Sequence, residues 1–174
     1  MSKVILYIAV TVDGYIADKD GGVDWLQEFQ VSKYDYGFED FYADIGSIVM
    51  GSITYEQVLS FGVEWPYSGV KTYVLSHREL PAATDSVSFY HGDLTELVER
   101  LKYEGNIWLV GGGQVVSQFI NLNLVDEIQL AVIPVLLGKG IPLFREFANH
   151  LKLELTQNQV FDNGAMLVKY RIRK

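Results

Sequence analysis

Three stretches of the chain put glycines, hydroxyls and basic groups at a strand end, and one carboxylate stands apart from them. Ile107-Trp108-Leu109-Val110-Gly111-Gly112-Gly113-Gln114-Val115-Val116-Ser117-Gln118-Phe119 reads as a buried strand, a three-glycine turn and a helix. Glycines let the backbone approach a ligand, and a helix start offers free N–H groups and a positive dipole end, so the pattern suits phosphate. A plain tight turn accounts for the same glycines. Met50-Gly51-Ser52-Ile53-Thr54-Tyr55-Glu56 is a second junction of this kind, with Ser and Thr placed either to cap the helix or to meet phosphate oxygens. Ser76-His77-Arg78 ends the strand Lys71–Leu75; a hydroxyl and a forked guanidinium suit a phosphate, and they equally suit a solvated turn. Asp35 precedes Phe38 by three residues and Tyr42 by seven, which makes it either a first-turn acid favoured by the helix dipole or a part-buried acid in a pocket.

The elements that must position these groups alternate in type. Val4–Val10 is continuously apolar and predicts a central strand covered on both faces. Asp13-Gly14 marks a turn, Tyr15-Ile16-Ala17 extends the chain briefly, and Asp18–Gly22 is a flexible polar connection closed by Val23-Asp24-Trp25-Leu26. That loop reads as a lid or as a surface hairpin anchored by Trp25. Helical spacing of Phe38, Phe41, Tyr42 and Ile45 predicts a helix over Tyr34–Ile45. Short strands are predicted at Ser47–Met50, Lys71–Leu75 and Val87–Tyr90, and a helix capped by Asp93 carries Leu94, Leu97, Val98 and Leu101 to the core. Asp126–Pro134 predicts another strand, Val135–Phe144 a loop, and His150–Phe161 with Ala165–Ile172 a hairpin turning at Asp162-Asn163-Gly164. The sum is one α/β domain over residues 1–174, a mixed, mainly parallel sheet with helices on both faces and an antiparallel C-terminal hairpin.

Composition narrows the partners. A formal charge of −8 argues against nucleic acid and anionic membrane surfaces. The absence of cysteine excludes disulfides, thiolate metal sites and cysteine nucleophiles, and no metal is expected. No run is long enough to span a membrane as a helix, and Val4–Val10 lacks the flanks of a signal peptide, so a cytoplasmic protein is expected.

Taken in order, these residues resemble the dihydrofolate reductase superfamily, most closely the small stand-alone bacterial proteins grouped with the reductase domain of the bifunctional riboflavin-biosynthesis deaminase-reductase. The resemblance covers nearly the whole chain. It rests on Ala9-x-x-x-Asp13-Gly14-x-Ile16-Ala17, on Trp25, on Met50-Gly51-Ser52-x-Thr54-Tyr55-Glu56, on Val74-Leu75-Ser76, on Val110-Gly111-Gly112-Gly113-Gln114-Val115 with Gln118, and on Val125-Asp126-Glu127 with Pro134–Phe144. It implies the three-layer dihydrofolate reductase-like fold, a cis Gly-Gly bond in the glycine turn, and NADPH as cofactor. Ala9, Ile16 and Ala17 would lie beside the nicotinamide. Gly51, Ser52, Thr54 and Val110, Gly111, Gly112, Gly113, Gln114, Val115 and Gln118 would hold the pyrophosphate. Leu75, Ser76, His77 and Arg78 would hold the adenosine 2′-phosphate. Asp24, Trp25, Asp35 and Tyr36 fall on the substrate side. Asp35 would supply a proton if its pocket raises its pKa.

The implied activity is reduction of a C=N or C=O group in a small pterin- or ribosylaminopyrimidine-like substrate, of the 5-amino-6-(5-phosphoribosylamino)uracil reductase type, by a homodimer. Two positions depart from the pattern. Ser52 stands where dihydrofolate reductases usually carry Arg, and Val110 where the riboflavin-type domain typically carries Glu. Both departures suit the alternative of a non-catalytic nucleotide- or ligand-binding protein on the same fold.

Overall fold

A computed structural model describes residues 1–30 and 33–173. The elements follow as β1 (Val4–Thr11), β2 (Tyr15–Ala17), a 3-10 turn (Asp24–Leu26), α1 (Gln27–Gln30), α2 (Phe38–Ala43), β3 (Ile45–Gly51), α3 (Ser52–Ser60), β4 (Lys71–Leu75) and β5 (Val87–Tyr90). After these come α4 (Leu94–Leu101), β6 (Asn106–Gly111), α5 (Gly113–Asn121), β7 (Glu127–Ile133), β8 (Ile141–Pro142), β9 (Leu153–Val160) and β10 (Met166–Ile172).

Eight strands form one sheet in the order β5-β4-β3-β6-β1-β7-β10-β9. From β5 to β7 every pairing is parallel, and β10 and β9 close the sheet antiparallel. The fold is the mixed α/β sheet expected above. β1 sits near the middle because it is apolar on both faces, with Val4 and Leu6 fully buried on one side and Ile5 and Tyr7 on the other. The first layer packs α2 and α3 on the sheet through Phe41, Tyr55 and Val58; the second packs α4 and α5 through Leu97, Leu101, Val116 and Phe119. Asp93 caps α4 as predicted, its Oδ1 accepting from the N–H groups of Thr95 (2.8 Å) and Glu96 (3.0 Å).

The structure departs from the sequence reading in four places. The helix predicted over Tyr34–Ile45 is shortened to α2, because Tyr36 (φ +55°) and Gly37 (φ +78°) are left-handed and Ile45 is drawn into β3 opposite Asn106. The Asp18–Gly22 connection closes on its own carboxylate: Asp18 Oδ1 accepts from the N–H groups of Asp20 and Gly22, each at 2.8 Å. Within the predicted loop 135–144, Ile141 and Pro142 form β8 and pair with β2. Of the alternating Leu151, Leu153 and Leu155, Leu151 packs against the second core layer, while Leu153 and Leu155 find no cover, since β9 is the sheet edge and is exposed along its whole length.

Candidate cofactor and substrate site

In a parallel sheet, ligands gather outside the carboxyl ends of the strands. At that edge α3 starts directly after β3 and α5 directly after the glycine turn of β6. Neither helix has a side-chain N-cap, whereas α4 at the same edge does. The first N–H groups of α3 and α5 therefore lack side-chain acceptors, and two positive helix ends face one crevice.

Glycine geometry brings the two ends together. Gly111 has φ +124°, a conformation that side chains disfavour, and the Gly111–Gly112 peptide is cis. A Cβ on Gly112 would lie 3.4 Å from Thr54 Oγ1 and 3.8 Å from Ile16 Cδ1, and one on Gly51 would lie 3.0 Å from Val115 Cγ2. Gly51, Thr54, Gly112, Val115 and Ile16 thus line one cradle. Gly113 packs against the strand below it, where a Cβ would fall on the Pro142 carbonyl oxygen and 3.0 Å from that of Leu143. Val110 is buried beside Trp108, while Gln114 and Gln118 lie on the exposed face of α5. Ser52 is half-buried at the first position of α3.

The end of β4 forms the second arm. Ser76 donates its N–H to Tyr90 O (3.0 Å), and its Oγ accepts from the Arg78 N–H (2.9 Å), which turns the chain back on itself. The Arg78 guanidinium is held by both oxygens of Glu56 (2.7 and 3.2 Å), and the rings of His77 and His91 stand 6.0 Å apart. Leu75 is half-buried at the strand end.

Ala9, Ile16 and Ala17 occupy the third side, on β1 and β2. Asp13 clamps the cover over β1: it accepts from Thr11 Oγ1 (2.6 Å) and from the N–H groups of Leu137 (3.3 Å) and Gly138 (2.8 Å). These bonds, the Thr11 hydroxyl foremost, hold its carboxyl below the usual carboxylate range.

Of the residues expected on the substrate side, Asp24 is exposed and accepts from Gln27 Nε2 (3.2 Å) on its own turn. Trp25 packs on the first core layer with its Nε1 buried and without a hydrogen-bond partner among the described residues. Asp35 does not meet the condition set for a proton donor. Its exposed carboxylate accepts from the N–H groups of Glu39 and Gly37, each at 3.0 Å, and these bonds hold its pKa below the usual value. Tyr36 is a junction. Its carbonyl accepts from Tyr7 Oη (3.1 Å), its hydroxyl donates to Phe29 O (3.2 Å) and accepts from Asn163 Nδ2 (2.7 Å), and its ring meets Phe161 edge-on. Tyr7, Trp65 and Tyr67 are not marked by the sequence as site residues, and Tyr42 reads there only as part of the apolar helix face. Tyr7 reads there as one residue of the seven-residue apolar run Val4–Val10, and the density of aromatics from Tyr34 to Tyr67 is the signal for the rest. Burial pushes the Tyr7 phenol up and the Tyr67 phenol up to about 12.

Comparison with known proteins agrees with the fold. The family model for the RibD C-terminal domain matches residues 2–167. YwjB of Bacillus subtilis (strain 168) is 38% identical over 167 residues, covering 95% of each chain. The crystal structure of a protein from Shewanella sp. PV-4, named for riboflavin biosynthesis, superposes with a TM-score of 0.90 at 32% identity over 99% of both chains. Dihydrofolate reductase from Enterococcus faecalis, solved with NADP(H), has a TM-score of 0.72 at 19% identity, covering 99% of this chain and 97% of that one, a likeness of fold.

Proposed function

The chain belongs to the RibD C-terminal domain family, and from that premise we propose that it is an NADPH-dependent reductase acting on a C=N or C=O group of a small heterocyclic substrate. The observation that carries the reading is the pair of uncapped helix starts, at Gly51-Ser52 and Gly112-Gly113, facing one glycine-lined crevice. Free N–H groups at two positive helix ends, with Thr54 Oγ1 beside Gly112, fit a pyrophosphate. The Ser76 turn, with His77 and Arg78, supplies donors for a 2′-phosphate, which favours NADPH over NADH.

When bound, NADPH supplies the hydride. The chain's own part is positional. Ala9, Ile16 and Ala17 would give a nicotinamide an apolar wall, and the bonds from Leu137 and Gly138 to Asp13 hold the loop before β8 against the end of β1. Trp25 and Tyr36 belong to the opposite, substrate wall. Asp35, kept ionised by its two backbone N–H partners, orders the start of α2, and the proton required at the substrate comes from water.

The assembly proposed is a homodimer, supported by the exposed edge strand β9 with Leu155 and Val160 in open view. Titration of the protein with NADPH and NADH, followed by nicotinamide fluorescence, tests the cofactor reading: binding of NADPH at micromolar concentration supports it, and no binding at millimolar concentration retires it in favour of the non-catalytic alternative.

A further inference from the structure

Resting on that reading of the site, we propose that the substrate is an uncharged planar heterocycle carrying carbonyl or ring-nitrogen acceptors and no phosphate or carboxylate. Three hydrogen-bond donors in the aromatic layer point to the acceptors. Trp25 Nε1, Tyr42 Oη and Trp65 Nε1 are buried, and none of them has a partner among the described residues. Buried donors are almost always paired, so three orphans in one layer call for acceptors from outside the chain. The layer is continuous. Tyr42 lies 6.1 Å from Trp108, Tyr67 lies 5.2 Å from Trp108 and 5.2 Å from Trp65, and Phe38 stacks on Tyr42 at 5.3 Å. Such rings recognise a flat π-system. Burial raises the phenol pKa of both Tyr42 and Tyr67, so both remain donors at neutral pH.

Charge excludes the anionic versions of such a ring. Residues 20–70, which build this face, contain nine carboxylates and a single basic residue, Lys33. Lys33 is turned to the hairpin, 3.7 Å from Asp162 and over the ring of Tyr34. The start of α2, the nearest helix end, is already occupied by the Asp35 carboxylate. The uncapped ends of α3 and α5 are taken by the cofactor in the reading above. A phosphate on the substrate would therefore enter a negative field with no free cationic side chain from this stretch to meet it. The family's phosphoribosylated pyrimidine is the wrong class for this chain.

The test uses the full chain and two matched pairs of probes. One pair is 7,8-dihydrobiopterin and dihydrofolate; the other is 5-amino-6-ribosylaminouracil and its 5′-phosphate. Binding is read by quenching of the three tryptophans, with NADPH titrated separately. In both pairs the neutral member is expected to bind roughly tenfold tighter or more, with the gap narrowing as salt rises. Glu39→Lys with Asp40→Lys, both on the exposed surface, should narrow the gap as well. Tyr42→Phe and Trp65→Phe should each weaken the neutral member about fivefold or more. Equal or tighter binding of the anionic member in either pair, or no binding of either neutral compound, overturns the proposal. Failure of NADPH to bind would remove the reductase reading while leaving this ranking measurable.

Discussion

The guanidinium of Arg78 meets the carboxylate of Glu56 through two hydrogen bonds, 2.7 and 3.2 Å long, across the crevice end where a 2′-phosphate would sit. Both side chains are largely exposed, so the pair contributes little to stability. Its consequence is for specificity, because the carboxylate competes with phosphate for the same forked donor. Glu56→Gln is expected to tighten NADPH about threefold to tenfold and leave NADH unchanged, while Arg78→Ala weakens NADPH by a similar factor. Fluorescence titrations of both cofactors with both variants check this. Equal changes for the two cofactors would remove Arg78 from the 2′-phosphate site.

Gly112 and Gly113 are adjacent yet face different neighbours, and alanine at each should fail differently. At Gly113 the added methyl would run into the Pro142 and Leu143 carbonyls, so Gly113→Ala should cost about 1–3 kcal/mol of stability by overpacking. At Gly112 the methyl would enter the crevice 3.4 Å from Thr54 Oγ1. Gly112→Ala should therefore keep most of the stability and weaken NADPH tenfold or more. Thermal unfolding and cofactor titration on the two variants separate the effects. A stable, tight-binding Gly112→Ala protein would place the pyrophosphate elsewhere.

Asp35 makes a prediction with a pH sign. Its folded pKa is depressed by the Glu39 and Gly37 N–H groups, so its contribution to stability is present above the unfolded carboxylate pKa near ~4 and is lost as pH falls through the lower folded value. Asp35→Ala should cost about 1 kcal/mol at neutral pH, as loss of a helix-capping group does, and nothing below that window. Denaturant melts of wild type and variant at neutral and strongly acid pH measure it. Turnover per folded molecule should change little; a large fall in turnover with unchanged stability would restore Asp35 as the proton source.

Local patterns carried much of the fold. β4 occupies the very residues predicted from their β-branched and aromatic run, and Asp93 caps α4, because both depend on neighbours in sequence. What could not be read depends on distant partners. Helical spacing reaches back to Tyr34, but Tyr7 Oη and Asn163 Nδ2 hold Tyr36 in a left-handed conformation that delays the helix start to Phe38. The glycine turns are legible as close approaches, and two helix starts without side-chain caps meet there. The Arg78–Glu56 pairing is invisible in sequence because 22 residues separate its members. The orphan donors of Trp25, Tyr42 and Trp65 are likewise a property of packing, not of spacing.

Tyr36 offers a test of how the proposed substrate wall is held. Its hydroxyl ties Phe29 of α1 to Asn163 of the C-terminal turn. Tyr36→Phe keeps the ring on Phe161 and removes both bonds, leaving the Asn163 amide without that acceptor. The expected cost is about 1–2 kcal/mol, and Asn163→Ala in the same background should add only the loss of the bond its Oδ1 accepts from the Ala165 N–H (3.2 Å), since the bond to Tyr36 is already gone. Full additivity in a double-mutant cycle would show that the hydroxyl and the amide do not act together.

β9 gives the last prediction. An edge strand exposed along its length, with Leu155 at 50% and Val160 at 70% exposure, is a template for pairing with another strand. Two copies related by a two-fold axis would align β9 antiparallel and bury both apolar side chains against their mates. Light scattering should then give about twice the 19.7 kDa chain mass for the wild type. Leu155→Lys with Val160→Lys should shift it to the single-chain mass, because like charges would face each other across the axis. The positions are already solvated, so the monomer's melting temperature should hardly move. A wild-type protein that scatters as one chain at all accessible concentrations would rule out the dimer, and a doubly substituted protein that remains paired would move the interface to another face.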